Sequence, residues 1–256
     1  MNSKLWTCAA AALLVFAVAC STTKTKTNAN PTNSNGAIAL PTFGPGETYA
    51  PAYNAADFSA DVTNPWFPLT PGTTNIYTGT KDGKSARNLF QPTTDTKVIN
   101  GVICRVVYDI LYLDGKLAEK TYDYYSQDKA GNVWYFGEDT ATYKNGKVDS
   151  TDGTWHTGVG GAQPGVFMQA DPTVGARFRQ EYYKGQAEDT FKALSLSASI
   201  TVPYGSFTGS LQTEETTSLE PDVVDNKYYV KGIGEVQEAA VKGDTEKLVL
   251  TEIKKA

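Results

Sequence analysis

Histidine occurs once in the 256 residues, at His156, and methionine only twice. Of three cysteines, Cys8 and Cys20 fall in the first twenty positions, which leaves Cys104 alone in the body. One histidine and one body cysteine exclude the usual zinc ligand sets. Basic charge is also short: 23 Lys and Arg against 28 Asp and Glu give a net charge of -5, no footprint for nucleic acid. No GxSxG nucleophile elbow occurs, and "EPDVVDN" lacks the spacing of a calcium loop. The glycine-rich "GVGGAQPG" (Gly158 to Gly165) lacks the Lys-Ser/Thr and the helix start that a phosphate cradle needs, so it reads as a flap beside a sheet. No cofactor is expected.

The apolar run Thr7 to Val18 is too short for a membrane span, which needs roughly 20 residues. Behind Lys4 it fits a secretory signal peptide, residues 1–19. The run ends in "FAVAC", which resembles the lipobox of bacterial lipoproteins, although Ala17 stands where Leu, Val or Ile is preferred. That resemblance implies that Cys20 receives a diacylglycerol and becomes the mature N-terminus. The predicted partner there is the membrane, through the lipid. Ser21 after the cysteine implies an outer-membrane or cell-surface address by the same resemblance. With Cys20 unmodified the chain is simply secreted, and a Cys20–Cys104 bridge stays open. Residues 20–56 begin with a Ser-, Thr-, Lys- and Asn-rich tract that cannot bury enough apolar surface to offset its ordering entropy, so a disordered N-terminal tether is expected.

Residues 57–256 read as a single domain. Tyr, Thr, Val and Gly are abundant, which favours strands. "KDGK", three Asn-Gly or Asp-Gly pairs at Asn100, Asp114 and Asn145, and another at Asp152 punctuate long runs such as "VICRVVYDILYL". Such pairs suit type I′ hairpins, because both central residues need positive φ. The expected fold is all-β and mainly antiparallel: a curved sheet, half-barrel or closed barrel, with room for one short helix on the concave side. "DVTNPWFPLTPG" holds too many prolines for a central strand and is expected to wrap one end of the sheet.

"FPLTPGTTNIYTG" (Phe67 to Gly79) resembles the "PLxxGxxWxY" opening of a family of uncharacterised bacterial lipoproteins and secreted proteins. "VPYGSF" (Val202 to Phe207) with "YYVKGIGEVQE" (Tyr228 to Glu238) resembles its closing "PxGxF…YxPGxGxV". Asn75 or Ile76 replaces the usual Trp, and Lys231 the usual Pro. The resemblance implies a half-barrel lipoprotein fold that cradles lipids or partner lipoproteins. On it, Gly232 and Gly234 would mark a bulge or tight bend in a strand.

A two-residue loop at Asp114-Gly115 pairs Leu113 with Lys116 and Asp109 with Lys120, an opposite-charge pair suited to a solvent face. The other face then carries Cys104, Val106, Tyr108, Ile110 and Tyr112 against Leu117, Glu119, Thr121, Asp123 and Tyr125. Buried carboxylates without partners are costly, so Glu119 and Asp123 among tyrosines imply a wet cavity or a barrel mouth open to solvent. Tyr108, Tyr112, Glu119, Asp123 and Tyr125 are the candidate ligand-binding residues. No catalytic residue and no metal ligand is assigned. Glu119 and Asp123 stand about 13 Å apart along a strand, too far for a glycosidase pair. Glu138-Asp139 and Glu214-Glu215 read as solvated neighbours, and the aromatic residues Trp134, Tyr135, Phe136 and Trp155 as core. The leading functional reading is a non-catalytic envelope protein that binds an apolar or aromatic small ligand or an envelope protein partner. An enzyme acting on envelope carbohydrate, or a structural or adhesive module, are the alternatives.

Overall fold

The computed structural model describes residues 40–43 and 48–255; Cys20, the expected signal peptide and most of the expected tether lie outside them. In chain order the strands are β1 (Phe58–Ser59), β2 (Thr73–Lys81), β3 (Lys84–Ile99), β4 (Val102–Leu113), β5 (Lys116–Asp128), β6 (Val133–Lys144), β7 (Lys147–Ser150) and β8 (Trp155–His156). There follow β9 (Gln163–Met168), β10 (Arg177–Arg179), β11 (Glu181–Tyr182), β12 (Asp189–Val202), β13 (Gly205–Thr217), β14 (Val224–Val230), β15 (Gly234–Lys242) and β16 (Lys247–Lys255). Among the described residues the only helical element is a 3-10 turn at Ala55–Asp57, packed on the outer side, where a short helix on the concave side had been allowed for.

All of them join one antiparallel sheet, a nearly closed barrel. β2 to β6 form a meander, β12 to β16 form a second, and β16 pairs with β2 to join the two. Closure falls to one short stretch of chain: β10 pairs with β12 on one side and the adjacent β11 pairs with β9 on the other. Hairpin turns at Asp82-Gly83, Asn100-Gly101, Asp114-Gly115 and Asn145-Gly146 all take positive φ at both residues, as the sequence predicts.

The proline-rich stretch from Asp61 to Gly72 does not join the barrel wall. Its Val62, Trp66, Phe67 and Leu69 are buried inside one end against Val107, Val133, Leu211 and Tyr229. The turn between β14 and β15 holds this plug: the Gly232 N–H donates to the Pro65 carbonyl at 2.7 Å. Gly232 lies in the turn between β14 and β15, whereas Gly234 opens β15 opposite Val230, beside a register shift that leaves Val236 as an extra residue.

A second apolar cluster lies on the outer wall. Cys104, Val106, Tyr124, Trp134 and Phe136 point outward there and are covered by Leu40, Tyr53 and Phe58. Tyr53 and Phe58 meet Phe136 edge-to-face at 5.6 and 5.3 Å. The segment before β1, read from composition as tether, thus lies packed against the barrel from Leu40 where it is described.

Candidate functional site: an acid-lined chamber in the barrel

Above the plug the barrel is hollow. A cavity of about 350 Å³ opens there, with Phe67 and Pro68 of the plug at its floor. Two β-bulges decide which side chains face it. On β5, Leu111 pairs with Glu119 but Tyr112 pairs with Leu117, so Ala118 is the extra residue. Because a one-residue slip exchanges the two faces of a strand, Asp123 opposes Val107 and Tyr125 opposes Arg105. On β6, Tyr125 pairs with Tyr135 while Asp123 pairs with Glu138, so an extra residue lies between them. Gly137 takes it up at φ 140°, and a Cβ there would lie 2.3 Å from the Trp155 carbonyl oxygen. The bulge places both Tyr135 and Glu138 toward the chamber and sends Asp139 outside.

The wall is acidic. Asp109 of β4, Asp123 of β5 and Glu138 of β6 line one side with the rings of Tyr125 and Tyr135, which stack at 4.6 Å. Glu181, Asp189, Glu215, Glu235 and Glu238 line the remainder, and Lys227 of β14 is the one basic side chain among the lining residues. Its ammonium sits 3.1 Å from Glu215, 3.3 Å from Glu238 and 4.0 Å from Glu235. Burial alone would lower the Lys227 pKa, but these carboxylates overcome it and hold the group well above its ordinary value.

The carboxyls away from Lys227 have other company. The hydroxyl of Tyr135 lies 2.6 Å from Asp123 Oδ1 and 2.6 Å from Glu138 Oε2. Asn88 donates to Asp109 Oδ1 at 2.6 Å, and Trp155 Nε1 donates to Glu181 at 3.2 Å. Burial, with the neighbouring charges adding to it, pushes Asp109 up to about 6 and Glu138 to about 7. The same causes hold Asp123 and Glu181 well above the carboxylate range. Glu235 is raised by burial to about 8 although Lys227 opposes the shift. At neutral pH this chamber holds protons as well as carboxylates.

Of the residues chosen from sequence, Asp123 and Tyr125 line the chamber. Glu119 shares their face through the Leu111 pairing, half-buried and outside the lining. Tyr108 and Tyr112 do not reach it. Tyr108 packs edge-on against Tyr122 at 4.8 Å on the outer wall, under the Lys120 ammonium, and Tyr112 lies beneath Arg87. The Ala118 bulge is the reason: the expected register ran straight through it and gave β4 the wrong face. Asp109, assigned to solvent by that register, lines the chamber.

Glu138 and Glu215 were missed as well. Each does face away from its sequence neighbour, but inward: Asp139 and Glu214 take the solvent side, where Glu214 lies 3.8 Å from Arg177. Trp134, Phe136 and Trp155 are buried as core, whereas Tyr135 serves both core and chamber. On the outer wall Asp139 gathers Lys97 at 2.7 Å, His156 at 2.9 Å and the Tyr124 hydroxyl. Cys104 is fully buried and burial pushes its thiol far above the ordinary range, as suits a core residue.

No family model matches the chain, and no curated protein matches it. Two solved structures are similar. One, from Bacteroides fragilis, is described as a "putative exported protein with YMCC-like fold"; it is 15% identical, with a TM-score of 0.44 over 74% of this chain and 99% of that one. The other, from Parabacteroides distasonis, is described as a "putative lipoprotein"; it is 13% identical, with a TM-score of 0.40 over 74% of this chain and 98% of that one. At that distance neither bears on the chamber.

Proposed function

We propose that this chain is a non-catalytic cell-envelope lipoprotein, anchored through a lipid on Cys20, whose barrel holds a small organic molecule with an apolar or aromatic part. The supporting observation is the chamber itself. Its volume falls in the range of small-molecule sites, and Phe67, Phe90, Tyr125, Tyr135 and Phe167 give it aromatic walls inside an otherwise packed barrel. A purely structural module has no use for such a space.

Carbohydrate hydrolysis has one observation behind it. Asp123 and Glu138 both lie 2.6 Å from a single phenolic oxygen, so they are no farther apart than the roughly 5–5.5 Å of a retaining acid–nucleophile pair. Yet the Tyr135 hydroxyl fills the gap a sugar's reacting carbon would need, and binding is the better reading.

Native mass spectrometry of the full-length protein in detergent tests both halves of the proposal. The expected spectrum shows a diacylglyceryl group on Cys20 and a non-covalent small molecule lost on denaturation. An unmodified Cys20 thiol removes the anchor. A barrel with no co-purified molecule that also fails to take up a solvatochromic dye removes the binding function.

A further inference from the structure

The chamber has a charge problem that points to the chemistry of its occupant. Asp109, Asp123, Glu138, Glu181 and Asp189 line it, yet none has a Lys, Arg or His within salt-bridge distance among the described residues. Lys227 is already engaged by three other carboxylates. An anionic ligand would meet this wall with repulsion. A neutral one would leave it as it is.

Tyr135 sharpens the point. A phenol has one proton to donate, but its oxygen makes 2.6 Å contacts to two carboxyl groups. Only one contact can use the phenolic proton, so the other requires a proton on Asp123 or Glu138. Asp123 is only 5% exposed, and its second oxygen has no hydrogen-bond partner among the described residues although the side chain lines the cavity. A carboxyl oxygen left open in a chamber wall is a vacancy for a donor. The stacked rings of Tyr125 and Tyr135, with Phe167 at 5.0 Å from Tyr125, lie alongside it. Rings beside carboxylates suit an ammonium group with an apolar body.

Resting on the reading of the chamber as a binding site, we infer that its ligand is a small organic ammonium ion, seated at Asp123 and Glu138 in exchange for the proton they hold with Tyr135. A bare metal ion fits less well, because among the described residues no three His, Cys, Asp or Glu side chains converge as a ligand set. The exchange balances: the ammonium keeps its protons, the carboxylic acid releases one to solvent, and an ammonium–carboxylate pair replaces it. The raised carboxyl values of Asp109 and Glu138 agree with such exchange near neutrality. The charged groups near the seat are Asp109 from β4, Glu119 from β5, Glu181 from β11 and Asp189 from β12. Glu215, Glu235 and Glu238 with Lys227 lie across the chamber. All but Lys227 favour a cation.

Isothermal titration calorimetry of the full-length protein in detergent, freed of bound molecules, tests this with phenethylamine, 2-phenylethanol and 3-phenylpropionate. The amine is expected to bind at least tenfold more tightly than the alcohol or the acid. Its heat should change with the buffer's ionisation enthalpy, as release of about one proton at pH 7 requires, and binding should weaken from pH 8 to pH 5.5. Asp123→Asn is expected to weaken the amine at least tenfold, while Asp139→Asn on the outer wall changes it less than twofold. Should Asp123→Asn fail to fold, Asp109→Asn serves, with a smaller loss in the same direction. Equal binding of amine and alcohol without proton release overturns the inference and leaves the binding function standing. Binding of none of the three overturns the inference, and the dye and mass measurements then decide the binding function separately.

Discussion

Glu138 reaches back along its own strand to Tyr135, placing a carboxyl oxygen 2.6 Å from the phenol of a residue three positions earlier. In a regular strand, residues three apart face opposite ways. The contact exists because the bulge at Gly137 turns the strand over between them. Gly137→Ala would set a Cβ 2.3 Å from the Trp155 carbonyl at a backbone angle L-residues rarely adopt. We expect a loss of at least about 2 kcal/mol in stability, read as a lowered midpoint in urea. Unchanged stability would mean that the strand closes without the bulge.

The acidic chamber makes stability depend on pH in a direction opposite to that of most paired carboxylates. Asp109, Glu138 and Glu235 have folded values near 6, 7 and 8, above those they have in an unfolded chain. Between about pH 4 and pH 8 the folded state therefore binds more protons than the unfolded one, and stability falls as pH rises through that window. The ligand-free protein is expected to melt clearly higher at pH 5 than at pH 8.5. A melting temperature that rises with pH would contradict these assignments.

Lys227 has the converse role. With Glu215, Glu235 and Glu238 around it, Lys227→Met removes the compensating charge and leaves three crowded carboxyls. Breaking a buried ion pair from one side costs about 3–5 kcal/mol, and protonation of the carboxyls should return part of it. The variant is expected to be strongly destabilised at pH 8 and much less so at pH 5. Equal destabilisation at both values would mean that Lys227 acts by packing its alkyl chain.

Much of the barrel was legible because hairpin chemistry is local. Asp114-Gly115 can be read as a two-residue turn with no knowledge of the rest of the chain, and it is one. What lay beyond reading was the bulge at Ala118, three residues past that turn. Nothing in "GKLAEKTYD" distinguishes an extra residue from a regular one, yet it moves Asp109 inside and Tyr108 outside. Asp123 and Tyr125 face the chamber because alternation along β5 beyond the bulge is regular. For Gly137 there was a signal: a glycine inside "VWYFGEDTATYK" marks a bulge or close backbone approach, and it would have brought Glu138 in beside Tyr135. The plug was half legible, since its prolines ruled out a central strand without showing that Trp66 and Phe67 turn inward. Glu215 carried no local signal; it faces inward because β12 to β16 close the ring.

That ring is completed by a latch on its outside. Arg179, the last residue of β10, lies with its guanidinium 4.5 Å from the Tyr182 ring, 4.7 Å from Phe43 and 5.6 Å from Tyr49. Tyr49 is buried and donates its hydroxyl to the Pro164 carbonyl on β9 at 3.1 Å, so the strap before β1 spans the seam where β9, β10 and β11 meet. Cation–π contacts contribute about 0.5–2 kcal/mol each, and here the guanidinium joins strap to seam. Arg179→Ala is expected to lower stability by about 1–2 kcal/mol and to speed amide hydrogen exchange in residues 48–58 and 163–168 while the β3–β4 hairpin keeps its protection. Arg179→Lys should restore part of both, since a cation remains over the rings. Uniformly faster exchange across the whole barrel would instead place Arg179 in the general stability of the fold, with no special hold on the seam.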